Sequence, residues 1–360
     1  MTLANNKPLL VTRTPGSKIP VERSKIMSYP FKMLDDSLCD EPIVEIAARQ
    51  LLGTVCVSGG ADCPLFKKKE DALEVLKLVK QDPAASVRLT SDADRVPHYT
   101  MLEDEDFARV NREGVLDRKR DLDVLQRLGL SPGDVRRARY LYELLLKHVE
   151  TPVGICAHDT PGWEGCALAS SGAYEAVREK GWKEIVYDRP EQDMAEARRE
   201  SIERIRTDEV LNVRPHHLMC MSCWVGSTDG EGERSNDTLD AIWRRICDDP
   251  DLKIRLVEGN CEACHCCDGY HAESTRCVHT GGLLRDYKKD LDVFQRIGKM
   301  PGDIVNAREI LKVIYEEVTD TTEVCGYGTG EATSNEWSVC SGPTGNAGFA
   351  KARKTVEFDK

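Results

Sequence analysis

A chain of 360 residues, 40% hydrophobic and 31% charged, has a globular composition and is long enough for two ordinary domains. It contains no run of about 18 apolar residues, so no membrane-spanning helix is expected. A formal net charge of −12 argues against a general nucleic-acid role, because phosphate recognition needs a basic face.

The opening residues MTLANNKPLLVTRTPGSK lack the apolar stretch and small-residue cleavage site of a secretory signal, so a cytoplasmic location is the expectation. In a reducing compartment disulfides are rare, and the fifteen cysteines read as metal ligands or redox thiols.

In chain order, residues 1–39 read as an extended tail and 40–182 as a first lobe. There RQLLGTVC (49–56) precedes an amphipathic helix over 70–81, an Asp-Pro break and a short alternating strand over 86–90. The stretch 117–149 reads as helix, tight break and helix. Ser131-Pro132-Gly133-Asp134 is taken as the second helix's start, with Ser as N-cap, Pro at the first position and Asp in the first turn. A strand is expected over 183–187, within a charged, helix-forming linker over 183–207.

The second lobe, 208–353, repeats the pattern. DLDVLQRLG (121–129) returns as DLDVFQRIG (290–298), so Asp121 answers Asp290, Pro132 answers Pro301 and Arg139 answers Arg308. RPHHLMC (214–220) lies where RQLLGTVC lies, which sets Arg49 opposite Arg214. An amphipathic helix carrying Cys247 as a small core residue leads to a strand over 253–258. Self-similarity at this spacing predicts an α+β, predominantly helical fold of two pseudo-symmetric lobes from an internal duplication.

Three cysteines pair between the lobes: Cys56 with Cys220, Cys156 with Cys325, and Cys166 with Cys340, with Cys63 and Cys223 as nearby fourths. The second lobe adds NCEACHCCDGYHAESTRC (260–277), where Cys261, Cys264 and Cys267 follow a C-x2-C-x2-C spacing. Three thiolates fanning from one loop suit a cubane cluster, with a fourth cysteine elsewhere. Iron–sulfur clusters of the 4Fe–4S type, one to three per chain, are therefore expected. The first would sit on Cys261, Cys264, Cys267 and Cys277, a second on Cys220, Cys223, Cys325 and Cys340, and a third on Cys56, Cys63, Cys156 and Cys166. Three alternatives stay open. Zinc could sit on Cys261, Cys264 and Cys277 with His279 or His271; the loop could be a redox thiol pair; and the paired cysteines could be core packing. Near the second-lobe cysteines, His216 or His217 is a candidate proton donor or substrate contact, with Arg214 as an anion partner. The competing readings are a packing histidine and a structural salt bridge.

RPHHLMC, the Cys261-x2-Cys264 pair, Cys277, the segment 291–302 and Cys325…Trp337-x2-Cys340 together resemble the domain of unknown function 1284 family. The resemblance covers the second lobe and implies iron–sulfur binding; it supplies no reaction. No phosphate loop, dinucleotide fingerprint or serine-nucleophile elbow is present. Three functions follow. One is an iron–sulfur oxidoreductase of anaerobic metabolism acting on a small-molecule substrate near His216 and His217. Another is an electron carrier or adaptor whose acidic surface docks a basic redox partner protein. The third is a zinc-stapled interaction protein.

Overall fold

Two short stretches alternate in burial, Val44–Ala47 (β1) and Ser86–Thr90 (β2), with Val87 and Leu89 facing inward. In the computed structural model they pair parallel, and Val135–Arg137 (β3) adds antiparallel to β2. A second sheet has the same order and strand senses: Val210–Val213 (β4), Lys253–Leu256 (β5) and Ile304–Asn306. The structure describes residues 43–66, 69–93, 96, 112–279, 282–325, 337, 345–356 and 358. The tail read over 1–39 and Cys340 lie outside them. Glu41–Lys360 form one compact unit.

A parallel pair needs a crossover. Helices Ala48–Ser58 (α1) and Lys69–Gln81 (α2) supply it between β1 and β2, followed by Arg112–Leu128 (α3) and Ala138–His148 (α4). Helices Ala173–Lys180 (α5) and Glu191–Thr207 (α6) lead to the second sheet. There Pro215–Thr228 (α7) and Leu239–Asp248 (α8) make the crossover, and Tyr287–Arg296 (α9) and Ala307–Glu317 (α10) complete the set. Thr322–Cys325 (α11) and Gly345–Thr355 (α12) end the described chain. Twelve helices among the described residues, against short strands, make the fold α+β and predominantly helical. No helix among the described residues is long and apolar enough to cross a membrane.

Each sheet backs its own core. One runs from Ile46 and Leu51 to Leu145 and Ile185, the other from Leu211 and Leu218 to Ile314 and Phe349. Ladder contacts fix how the halves correspond. Leu89 donates to the Asp134 carbonyl and accepts from Gly133; Leu256 does the same with Asp303 and Gly302. Their parallel partners are Ile46 and Val213. Three residues beyond those partners stand Arg49 and His216, whose backbone N–H groups donate to Asp121 and Asp290. By this register Arg49 answers His216, not Arg214, and Cys56 answers Cys223, not Cys220. The pairing expected from sequence aligned the arginines and the cysteines of the two motifs, and the strand register displaces those alignments by two and three residues.

Other expectations are corrected. Ser131–Asp134 is a turn, closed by Asp134 N–H to Ser131 O, and β3 follows it before the helix begins at Ala138. Gly133 sits at φ +91°. Proline followed by a positive-φ glycine is the signature of a type II turn, and this outweighs the N-cap reading. No strand forms over 183–187: Trp182–Glu184 is a 3-10 turn, and Ile185 and Val186 are both buried, which a one-faced strand does not permit. Cys247 is exposed, one position off the buried Leu239, Ile242 and Ile246 face of α8.

Close helix contact rests on small residues. A methyl group at Gly226 on α7 would overlap the Gly348 carbonyl of α12, and at the corresponding Gly59 it would overlap the Ala173 carbonyl. Backbone cannot give way as a side chain can, so Gly226→Ala is expected to lower unfolding stability by about 3 kcal/mol, the upper end for overpacking. Denaturant titration measures this, and a change under about 0.5 kcal/mol contradicts the packing.

Candidate metal centres

The loop after β5 opens with Cys261, and a 3-10 turn over Glu262–Cys264 folds it back through Cys264 N–H to Cys261 O. The two sulfurs come to 3.8 Å. His217, in the first turn of α7, points its Nδ1 at Cys261 Sγ, 3.0 Å away. The donor atoms of His217, Cys261 and Cys264 all lie within 4.8 Å of one another. Zinc–sulfur bonds of about 2.3 Å at a tetrahedral angle put two sulfurs about 3.8 Å apart, and a nitrogen about 3.6 Å from a sulfur. The thiol pair is already at that edge, and the imidazole would have to withdraw by about half an ångström.

A buried polar group lies behind this set. Asp290 on α9 is fully buried and accepts from Arg214 Nε at 2.6 Å, while its other oxygen meets His216 Nδ1 at 2.6 Å and the His216 N–H at 3.3 Å. Hydrogen bonding with Cys261, then the Arg214 charge, draws the Cys264 thiol down to about 7 against the effect of burial. Burial pushes Cys261 well above its usual range and holds His217 well below its own. A divalent ion needs both sulfurs as thiolates and the imidazole neutral, so binding would displace the thiol protons that remain. The adjacent histidines thus divide: His216 holds the carboxylate, and His217 faces the sulfurs.

The second arm of the loop gathers Cys267, Asp268 and His279 within 4.8 Å. His279 Nε2 meets Asp268 Oδ1 at 2.8 Å, and its ring nitrogens stand 3.7 and 3.8 Å from Cys267 Sγ. Cys277, held opposite Tyr270 in the Tyr270–His271/Arg276–Cys277 hairpin, hydrogen-bonds the same ring. Gly269 leaves room for that ring, which a β-carbon would overlap, and its N–H donates to Cys267 Sγ at 3.4 Å. Hydrogen bonds to Asp268, then Cys267 and Cys277, raise His279 far above its ordinary range, while the bond to His279 holds Asp268 below its own.

Cys261, Cys264, Cys267 and Cys277 therefore do not gather as one set. The first two go with His217, and the third goes with Asp268 and His279. His271 turns away to Ser274 and packs edge-on against Tyr187. Asp268, in CCDG, escaped the sequence reading because a carboxylate beside cysteines carries no spacing signal of its own.

Two arginines fix the loop from outside. Arg189 donates to the His265 and Cys267 carbonyls and lies over the Tyr270 ring. Arg139, from α4 of the first half, is buried over Trp182 at 4.1 Å. It donates to Glu143 and to both the carbonyl and carboxylate of Asp268. Arg139→Ala removes these charge-assisted bonds and should cost about 2–3 kcal/mol by urea unfolding. Arg139→Lys should recover less than half, because lysine has no planar fork.

Of the remaining candidates, Cys56, Cys63, Cys156 and Cys166 line one small cavity. Cys220 and Cys325 both lie near the buried Lys289, and Cys223, on α7, lies near Tyr315. No family model, curated protein or solved structure matches this chain.

Proposed function

We propose that His217, Cys261 and Cys264 in the second half hold one mononuclear zinc-class ion. The observation that carries this reading is the 3.8 Å separation of the two sulfurs. It equals the edge of a mononuclear tetrahedron, whereas a cubane holds each thiolate on a different iron and so spreads them further. Among the described residues this set has three protein donors. Three donors of the Cys2His type leave the fourth position to water or substrate, the pattern of a reactive rather than a purely structural zinc. Such an ion would supply Lewis acidity to a small polar substrate. The chain's own contribution is orientation. Asp290 fixes Arg214 and His216, and Arg214 sets the charge beside Cys264.

Cys267, Asp268 and His279, with Cys277 beside them, would form a second mononuclear centre in the same loop. Iron–sulfur redox chemistry, the first expectation from sequence, retains the C-x2-C-x2-C spacing and the family resemblance as its support.

Metal analysis of protein purified without oxygen separates the two readings. Zinc that is lost on Cys261→Ala/Cys264→Ala, with no loss of visible absorbance or acid-labile sulfide, is expected. Iron and sulfide lost in that variant, together with a broad visible band that bleaches on reduction, would replace the zinc reading with the redox one.

A further inference from the structure

The four cysteines of the first half come from three separate places in the chain. Cys56 lies on α1, Cys63 in the loop after it, and Cys156 and Cys166 in the segment between α4 and α5. They surround one cavity whose other lining, including Leu65, Pro152 and Leu168, is apolar. The cavity has room for about one water-sized body, roughly 10 Å³. A water there would find thiols and hydrocarbon where it needs two to four polar partners. The space suits a thiophilic ion better than solvent.

Chain geometry supports a built site. Gly165, at φ +65°, brings its segment so close to the Cys156 carbonyl that a β-carbon would overlap it. Cys166 N–H donates to that carbonyl at 2.8 Å, so the two cysteines are locked together. The buried Arg120 donates to the same carbonyl at 2.9 Å and to Asp117 at 2.8 Å. Its charge is felt at Cys63 and Cys156.

The second half argues against simple core packing. Counting from the paired strand residues Ile46 and Val213, Gly53 answers Cys220. A β-carbon at Gly53 would lie 3.3 Å from Cys63 Sγ. The first half thus brings a sulfur from a loop to the place where the second half grows one from its helix. Beside each stands a buried cation bonded to the carboxylate three residues earlier: Arg120 to Asp117, and Lys289 to Asp286 at 3.1 Å. Packing selects a shape. A sulfur brought close to the corresponding position by a different chain route, next to a similar positive charge, points to a chemistry.

We infer that Cys56, Cys63, Cys156 and Cys166 form a buried tetrathiolate metal centre, separate from the sites of the cysteine-rich loop. On binding, each thiol releases its proton to solvent and Arg120 offsets part of the negative charge that remains. The shared chemistry is four thiolates on a thiophilic metal, supplied by a single zinc or iron ion or by a small iron–sulfur unit. No three of these sulfurs lie within 4.8 Å of one another, so a single ion would have to draw them inward, whereas a cluster, which holds each thiolate on a different iron, would not.

Native mass spectrometry of the full chain, purified without oxygen, tests this with Cys63→Ser, a half-buried loop position, and with Cys261→Ala/Cys264→Ala as the control. Cys63→Ser should lose one metal equivalent, and the control should keep it. The lost mass distinguishes one ion from iron with sulfide. An unchanged metal count in Cys63→Ser overturns the inference. Loss confined to the control overturns it in the same way, while it supports the loop site. A measurement on the unaltered chain stands independently of any variant's folding: cadmium-113 NMR of cadmium-exchanged protein should show an all-sulfur resonance. Its absence from cadmium-saturated protein also overturns the inference.

Discussion

Asp290→Ala is expected to lower unfolding stability by about 3–5 kcal/mol, the range for removing one partner of a buried ion pair. The carboxylate is fully buried, and both of its oxygens are used at 2.6 Å, one by Arg214 and one by His216. Without it, the Arg214 guanidinium stays buried with no counter-charge from that side. Asp290→Asn keeps the shape and some hydrogen bonding, so it should retain part of the loss. The corresponding Asp121→Ala should cost less. Its partner Arg49 is 19% exposed and keeps a second carboxylate, Asp117, at 3.2 Å. Chemical denaturation of the four proteins gives the order, and equal losses at 290 and 121 would contradict the burial argument. Metal affinity should fall as well, by about 10–100-fold, because Arg214 and His216 position the donors without being donors themselves.

His217→Ala should weaken metal binding by more than that, beyond about 100-fold, since it removes a donor and not a support. Its effect on the metal-free fold should be small: the ring's hydrogen bond is to Cys261 Sγ, and none runs to the core carboxylate. His216→Ala should show the opposite balance. It leaves Asp290 short of one partner, so stability drops by about 1–3 kcal/mol, while the metal is weakened only within the supporting range. Competition with a chromophoric chelator reads affinity, and unfolding of metal-stripped protein reads stability. Two neighbouring residues with rings 4.4 Å apart thus give a crossed result. If both variants lose affinity alike and stability alike, the division of roles is wrong.

Much of the scaffold was legible in the chain. Ser86–Thr90 reads as a strand because its apolar residues alternate, and the alternation is what the core sees. Helix 70–81 and the repeated DLDV-x-QR-x-G segments carry the same kind of periodic signal. Turn chemistry misled at Ser131-Pro132-Gly133-Asp134, where proline and glycine outranked the capping serine. Ile185 and Val186 misled because two adjacent apolar residues fit a buried turn as well as a strand. At the site, composition pointed to the loop in which the structure brings together groups that could hold a metal. Grouping them from spacing failed because donor groups are tertiary: His217 arrives from a helix 44 positions away. His279 meets Cys267 and Asp268 only after the chain has turned back through the hairpin. Spacing along a loop also cannot say whether three thiols converge or diverge. The 3-10 turn decides that, carrying Cys264 back towards Cys261 and leaving Cys267 to the other arm.

Zinc-edge X-ray absorption on the chain carrying Cys63→Ser and Cys267→Ala, which leaves His217, Cys261 and Cys264 untouched, is the most direct test. The spectrum should fit two sulfurs at about 2.3 Å, one imidazole nitrogen at about 2.0 Å and one further light atom. A shell of four sulfurs, a metal–metal distance, or no bound zinc at all would contradict a mononuclear Cys2His centre.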